Sequence, residues 1–181
     1  MTKLMGIHPK LIIVMGVSGC GKSTIAQEIA QNLCMSFIDA DDFHLSEAKS
    51  LMSEGVPLTD AMRVPWINKI KKYLADSHSN DHGVVLAFSG LKKHHRNMFR
   101  MLNFDICYFH LYAPFKDIHH RLDKRKNHFF CSKLLASQYA ALESTINESD
   151  VTLIDANLSI AKTVETIQVK LLEGEYAVSN F

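Results

Sequence analysis

The chain has 181 residues, 47% hydrophobic and 22% charged, a mix that supports one globular core without disulfides or a structural metal. With 20 basic and 19 acidic residues the net charge is +1, which argues against a dedicated nucleic-acid binder but suits a small anionic substrate met by a local basic patch. The longest strongly apolar run, Leu11 to Val17, falls far short of the roughly 18 residues of a membrane span. Residues 1–10 lack the apolar region of a signal peptide, and Cys20, Cys34, Cys107 and Cys131 are widely spaced. Reduced thiols and a cytoplasmic location are expected.

Leu11–Met15 is apolar at consecutive positions, the mark of a strand buried on both faces in a parallel sheet. It runs directly into Gly16-Val17-Ser18-Gly19-Cys20-Gly21-Lys22-Ser23, which fits the phosphate-loop pattern G-x-x-x-x-G-K-[ST]. A helix follows, with Ile25, Ile29 and Leu33 repeating every four residues. Strand, loop and helix together predict a cradle for ATP formed by Gly16, Val17, Ser18, Gly19, Cys20, Gly21, Lys22, Ser23 and Thr24. Lys22 is expected to neutralise the β- and γ-phosphates, and the Ser23 hydroxyl to ligate Mg²⁺. Cys20 fills a small position in the loop, where the helix terminus and Lys22 could lower its thiol pKa.

Ser36–Ala40 reads as the second strand, ending in Asp39-Ala40-Asp41-Asp42-Phe43-His44. Ligands of open α/β sheets sit at the carboxyl ends of strands. If the strand continues through Asp39 and Asp41, both point the same way. One carboxylate can then hold Mg²⁺ and another can take the proton of an attacking hydroxyl. Residues 43–80 read as a helical segment covering the substrate, with a helix over Pro65–Leu74 through Trp66, Ile70, Tyr73 and Leu74.

Val84–Phe88 is the third strand. Beyond it, Lys92, Arg96 and Arg100 are four apart and share a helix face suited to an anionic acceptor. Ile106–Tyr112 is the fourth strand. After it, Arg121 and Arg125 are placed for a lid, about 121–133, whose guanidinium groups reach a transferring phosphoryl group. Val151–Ile154 is the fifth strand, and Leu158–Leu172 a final helix through Ile160, Val164, Ile167 and Leu171. His94-His95 and His119-His120 are adjacent pairs on different helix faces, and no H-E-x-x-H occurs, so a zinc site is not expected. Strands alternating with helices make residues 1–181 a single α/β domain.

The chain resembles the gluconokinase family, relatives of shikimate kinase. The resemblance rests on the phosphate loop and Asp39-Ala-Asp-Asp-Phe-His44, on Gly55-Val-Pro-Leu-Thr-Asp60 with Arg63-Val-Pro-Trp66, and on Ser89-Gly-Leu-Lys-Lys93 with Arg96. His128-Phe-Phe130, Leu134-Leu-Ala-Ser-Gln-Tyr139 and Leu142-Glu143 complete it. It implies a three-layer P-loop kinase fold with a five-stranded parallel sheet, flanking helices and a lid. It also implies a homodimer that phosphorylates the 6-hydroxyl of D-gluconate with ATP and Mg²⁺. Carried over by position, Asp39 and Asp41 are the metal and base candidates. Asp41, His44, Arg63, Lys92, Arg96, His128 and Gln138 fall to the substrate, and Arg121 and Arg125 to the lid. The chain departs from the family pattern at Leu45, Ala48, Leu51, Ala61, Met62, Phe88, Gly90, His95 and Asn127. Two other readings stand beside this one: a kinase for another small polar acid such as shikimate, and a nucleotide-binding module without turnover.

Overall fold

The computed structural model describes residues 8–76, 83–124 and 132–178. Its elements are β1 (Lys10–Met15), α1 (Lys22–Asn32), β2 (Ser36–Asp39), α2 (Ser46–Ser53), α3 (Asp60–Asp76), β3 (Val84–Phe88) and α4 (Lys93–Arg100). Then come β4 (Asp105–Tyr112), α5 (Phe115–Lys124), α6 (Ser132–Ala141), β5 (Val151–Asp155) and α7 (Ile160–Val178). The five strands form one parallel sheet in the order β2-β3-β1-β4-β5. The most continuously apolar strand, β1, therefore takes the centre, where both faces and both edges are covered.

Alternation along β1 divides the interior into two layers. Ile12 and Val14 face Ile25, Ala26 and Ile29 of α1, Ile118 and Leu122 of α5, and Val164 and Ile167 of α7. Leu11, Ile13 and Met15 face Trp66, Ile67, Ile70 and Leu74 of α3 and Phe99 of α4. Helices on both faces of the sheet give the expected three-layer α/β architecture. Among the described residues, no helix is long and apolar enough to cross a membrane.

Several boundaries differ from expectation. β2 stops at Asp39, because the Asp39 side chain accepts the Asp41 amide at 3.0 Å and turns the chain into a short 3₁₀ helix, Ala40–Phe43. Asp39 and Asp41 are thus not alternate residues of one strand. α3 begins five residues before Pro65. Thr59 starts it, its carbonyl accepting from Arg63 N and its hydroxyl from Met62 N. Pro65 then sits inside the helix and withholds one amide from the Ala61 carbonyl. Three residues of the expected apolar stripes, Leu33, Tyr73 and Ile160, lie exposed. Leu33 and Ile160 stand at helix ends, and Tyr73 lies on a flank that the Phe43 ring meets edge-on with centroids 5.3 Å apart and leaves half open.

Candidate active site

The chain leaves β1 through Gly16, whose φ of 142° and closeness to the Leu111 carbonyl exclude a side chain: a Cβ there would lie 2.5 Å from that oxygen. The loop closes at Gly21, with φ 100°, which caps α1 from the left-handed region. No atom lies within 4 Å of where a Gly21 Cβ would be, so the mouth of the loop opens onto free space. Gly16, Val17 and Cys20 frame the loop from behind, while Ser18, Gly19, Gly21, Lys22, Ser23 and Thr24 line a cavity of about 420 Å³. Lys22 Nζ donates to the Val17 carbonyl at 3.0 Å. Ser23 Oγ donates to Asp39 Oδ2 at 2.5 Å. A hydroxyl beside a carboxylate is the hard-oxygen donor set that Mg²⁺ requires, so the residues fit the metal assigned to them.

Cys20 fills a small position in the loop, as expected, and no more. It is buried, and burial pushes its thiol up against the opposing pull of Lys22. The charge and the helix terminus do not compensate for the lost hydration, so the thiol is not activated.

The opposite wall of the cavity comes from the turn after β2 and from α3. Asp41, Asp42, His44, Arg63 and Trp66 line it. The His44 ring stacks on Trp66 with centroids 4.1 Å apart, and Trp66 Nε1 donates to the Ala40 carbonyl at 2.7 Å. Trp66 thereby fixes both the turn and the imidazole. The His44 side chain is only 5% exposed, and Asp41 Oδ1 lies 3.7 Å from its Nε2. Burial holds His44 below the ordinary imidazole range, with Asp41 opposing. A neutral ring suits hydrogen bonding to a hydroxyl. The Asp41 carboxylate is open to solvent and unencumbered by the metal-side hydroxyl.

Lys49, Met52, Pro57 and Leu58 also line the cavity, as do Leu134, Ser137 and Gln138 of α6, which reaches the phosphate loop through Gln138. Gln138 Oε1 accepts the Ser18 amide at 2.7 Å, and its Nε2 donates to Ser18 Oγ at 3.2 Å.

Not every predicted residue arrives here. Arg96 has no exposed surface: it pairs with Glu148 and donates to the carbonyls of Gly90 and Leu91. It braces the loop after β3, and the expectation that it touches substrate is corrected. Lys92 does not line the cavity; its Nζ donates to Asp60 Oδ2 at 2.5 Å. Arg100 shares the Arg96 partner and adds Asp150, which hold its guanidinium above its usual range. Arg121 donates to Asn157 Oδ1 at 2.6 Å and is not itself a lining residue, although it stands close enough to the phosphate loop for its charge to act on the Cys20 thiol. Arg125 and His128 lie outside the described residues, as does most of the expected lid.

Other residues were missed. Lys49 is the one cation of α2 and carried no pattern. Glu143, whose side chain accepts the Lys93 amide at 2.5 Å and whose own amide donates to the Leu91 carbonyl, clamps the start of α4. Asp60 gathers Lys92, Arg63 at 3.5 Å and His95 at 3.8 Å, and the Lys92 hydrogen bond holds its carboxyl below the usual range. Burial pushes His95 down to about 4, with His94 adding to the effect.

A phosphate loop on the central strand, facing an aspartate and an arginine across one small cavity, makes this protein a P-loop kinase for a small acceptor. The shikimate kinase family model matches residues 18–172. A gluconokinase of Gluconobacter oxydans is 38% identical over 139 residues, 77% of this chain and 78% of its own. The thermoresistant gluconokinase of Escherichia coli is 33% identical over 163 residues, 87% of this chain and 93% of its own. The crystal structure of a gluconokinase from Sinorhizobium meliloti superposes with a TM-score of 0.82 at 32% identity, covering 97% of this chain and 100% of the other. Shikimate kinase from Aquifex aeolicus, with a TM-score of 0.63 at 15% identity over 91% of this chain and 98% of its own, shares the fold. The chain belongs to the gluconokinase family, built on the shikimate kinase fold.

Proposed function

We propose that the protein transfers the γ-phosphoryl group of ATP to the 6-hydroxyl of D-gluconate, giving 6-phosphogluconate and ADP. The observation that carries this reading is the single cavity in which Lys22 and Ser23 stand on one wall and Asp41, His44 and Arg63 on the other. Bound magnesium nucleotide supplies the activated phosphoryl group. Ser23 and Asp39 would hold Mg²⁺, which would neutralise phosphate charge there, and Lys22 leaves the Val17 carbonyl to meet the charge developing on the phosphoryl oxygens. Asp41 accepts the hydroxyl proton as that oxygen attacks phosphorus. Arg63 takes the substrate carboxylate at the other end of the cavity, and neutral His44 orients hydroxyls between them. Gln138 stands at the phosphate side of the acceptor.

Relatives named gluconokinase over most of their length support gluconate as the acceptor. A cytoplasmic homodimer, a lid over about 121–133 and a covering segment over 43–80 are carried over from the family resemblance. An ADP-release assay across gluconate, other sugar acids and shikimate tests the reading. Turnover is expected on gluconate. Turnover on another acid alone would reject gluconate, and nucleotide binding without ADP release from any acceptor would reject the enzyme.

A further inference from the structure

We propose that Asp60, His94 and His95 form a metal site that takes one divalent cation of the Zn²⁺ class. Asp60 opens α3, while the two histidines lie in the first turn of α4. The adjacent histidines alone give no expectation of zinc; their ring centroids nonetheless lie 4.0 Å apart, and the packing of α3 beside α4 brings Asp60 to them. One donor atom from each lies within 4.8 Å of the others. The second observation is His95 itself. It is 2% exposed, and its buried Nε2 has no hydrogen-bond partner among the described residues. That atom faces Asp60 Oδ1 at 3.8 Å, too far for a hydrogen bond and close enough to share an ion. Buried polar atoms are ordinarily satisfied, so an orphan aimed at a carboxylate calls for a missing partner.

The donor chemistry selects the ion. Two imidazoles and one carboxylate suit Zn²⁺ and its transition-metal neighbours, whereas Mg²⁺ prefers oxygen alone. Bonds of about 2.0 Å require the donors to draw closer than they now stand. Exposed His94, its ring centroid 4.0 Å from that of His95, and half-open Asp60 have the freedom to do so, and His94 provides the entry from solvent. Three protein ligands leave the fourth position to water.

The electrostatic obstacle is also specific. Lys92 now neutralises Asp60, and Arg63 lies 3.5 Å from it. A dication must displace the Lys92 ammonium, whose flexible stem and 27% exposed side chain allow it to swing into water. Lys92 is thus the competitor for the site, which gives the proposal a signature that a purely structural cluster lacks. None of the three ligands lines the nucleotide cavity, so the proposal does not depend on the reaction assigned there.

The test is calorimetric titration of Zn²⁺ into the chelator-treated full-length protein with Mg²⁺ in excess, to saturate oxygen-only sites. One ion per chain is expected. His94→Ala and Asp60→Asn should each weaken binding by more than about tenfold, since even the loss of a group that only orients a ligand costs about 10–100-fold, with folding checked by thermal melting. Lys92→Ala should tighten it, and Cys34→Ser, at an exposed free thiol, should leave it unchanged. Absence of Zn²⁺ binding, or binding that survives in both ligand variants, would overturn the proposal. So would weaker binding in Lys92→Ala or loss in Cys34→Ser. Magnesium nucleotide titrated into the same sample reports separately on the kinase reading.

Discussion

Arg96 donates from Nε to Glu148 Oε2 at 3.1 Å and from Nη2 to the other oxygen of the same carboxylate, joining α4 to the turn before β5 across 52 residues. Both side chains are buried. Two further donations from Nη1 to the carbonyls of Gly90 and Leu91 tie this pair to the loop that closes the base of the cavity. Removing one partner leaves an uncompensated buried charge, which costs about 3–5 kcal/mol. Glu148→Ala should therefore lower the urea midpoint by a corresponding amount. A variant of undiminished stability whose only defect is a raised KM for the acceptor would return Arg96 to the substrate.

Lys22 and Asp41 should separate binding from chemistry. Lys22→Ala removes the cation that meets developing charge, and a loss of about 10²–10³ in kcat is expected. Asp41→Asn keeps the shape of the turn, because it is the Asp41 amide, not its carboxylate, that anchors to Asp39. Its kcat should fall about 10²–10⁴-fold while nucleotide affinity holds near wild type. Steady-state kinetics together with nucleotide titration reads both. Near wild-type turnover in either variant contradicts the assignment.

Gln138 occupies a backbone amide of the phosphate loop, one of the groups that such loops turn toward phosphate. Nucleotide must displace its carbonyl from Ser18 or bind around it. Gln138→Ala removes this competitor, worth about 1 kcal/mol for one hydrogen bond, so ATP affinity should rise about fivefold. A tenfold loss of affinity instead, measured by the same titration, would place the Gln138 side chain on the nucleotide itself.

His110 makes stability depend on pH. It is buried on β4 with Nδ1 3.1 Å from Thr145 Oγ1. Burial, reinforced by the nearby Arg96 charge and opposed by Glu148, pushes it down from 6.5 to about 4. The unfolded chain therefore takes up this proton first as pH falls. The stability contribution is complete above about 6.5 and is lost progressively toward 4, amounting to as much as about 3 kcal/mol. Urea denaturation between those limits should show the decline, and His110→Gln should flatten its share of it. An unchanged slope in the variant would mean that the proton goes elsewhere; His95 follows the same sign.

The strands, the phosphate loop and the helix behind it were legible in the sequence because each is a local pattern. Five apolar residues in a row need a sheet interior, and glycines flanking a lysine need a tight turn before a helix. Those features determined the α/β class, the order of its elements and the nucleotide half of the site. The turn after Asp39 was less legible, since whether a strand continues depends on one side chain capping one amide. The partners of the basic residues were not legible at all. Lys92, Arg96 and Arg100 look alike on a helix, yet one reaches Asp60, one is buried against Glu148 and one bridges Glu148 to Asp150. Asp60 and His95 likewise meet only where α3 packs beside α4. Charge is a property of a residue, but whether it faces substrate, a buried counter-ion or an incoming metal is decided by segments far away in the chain, and those come together only when the two layers close on the sheet.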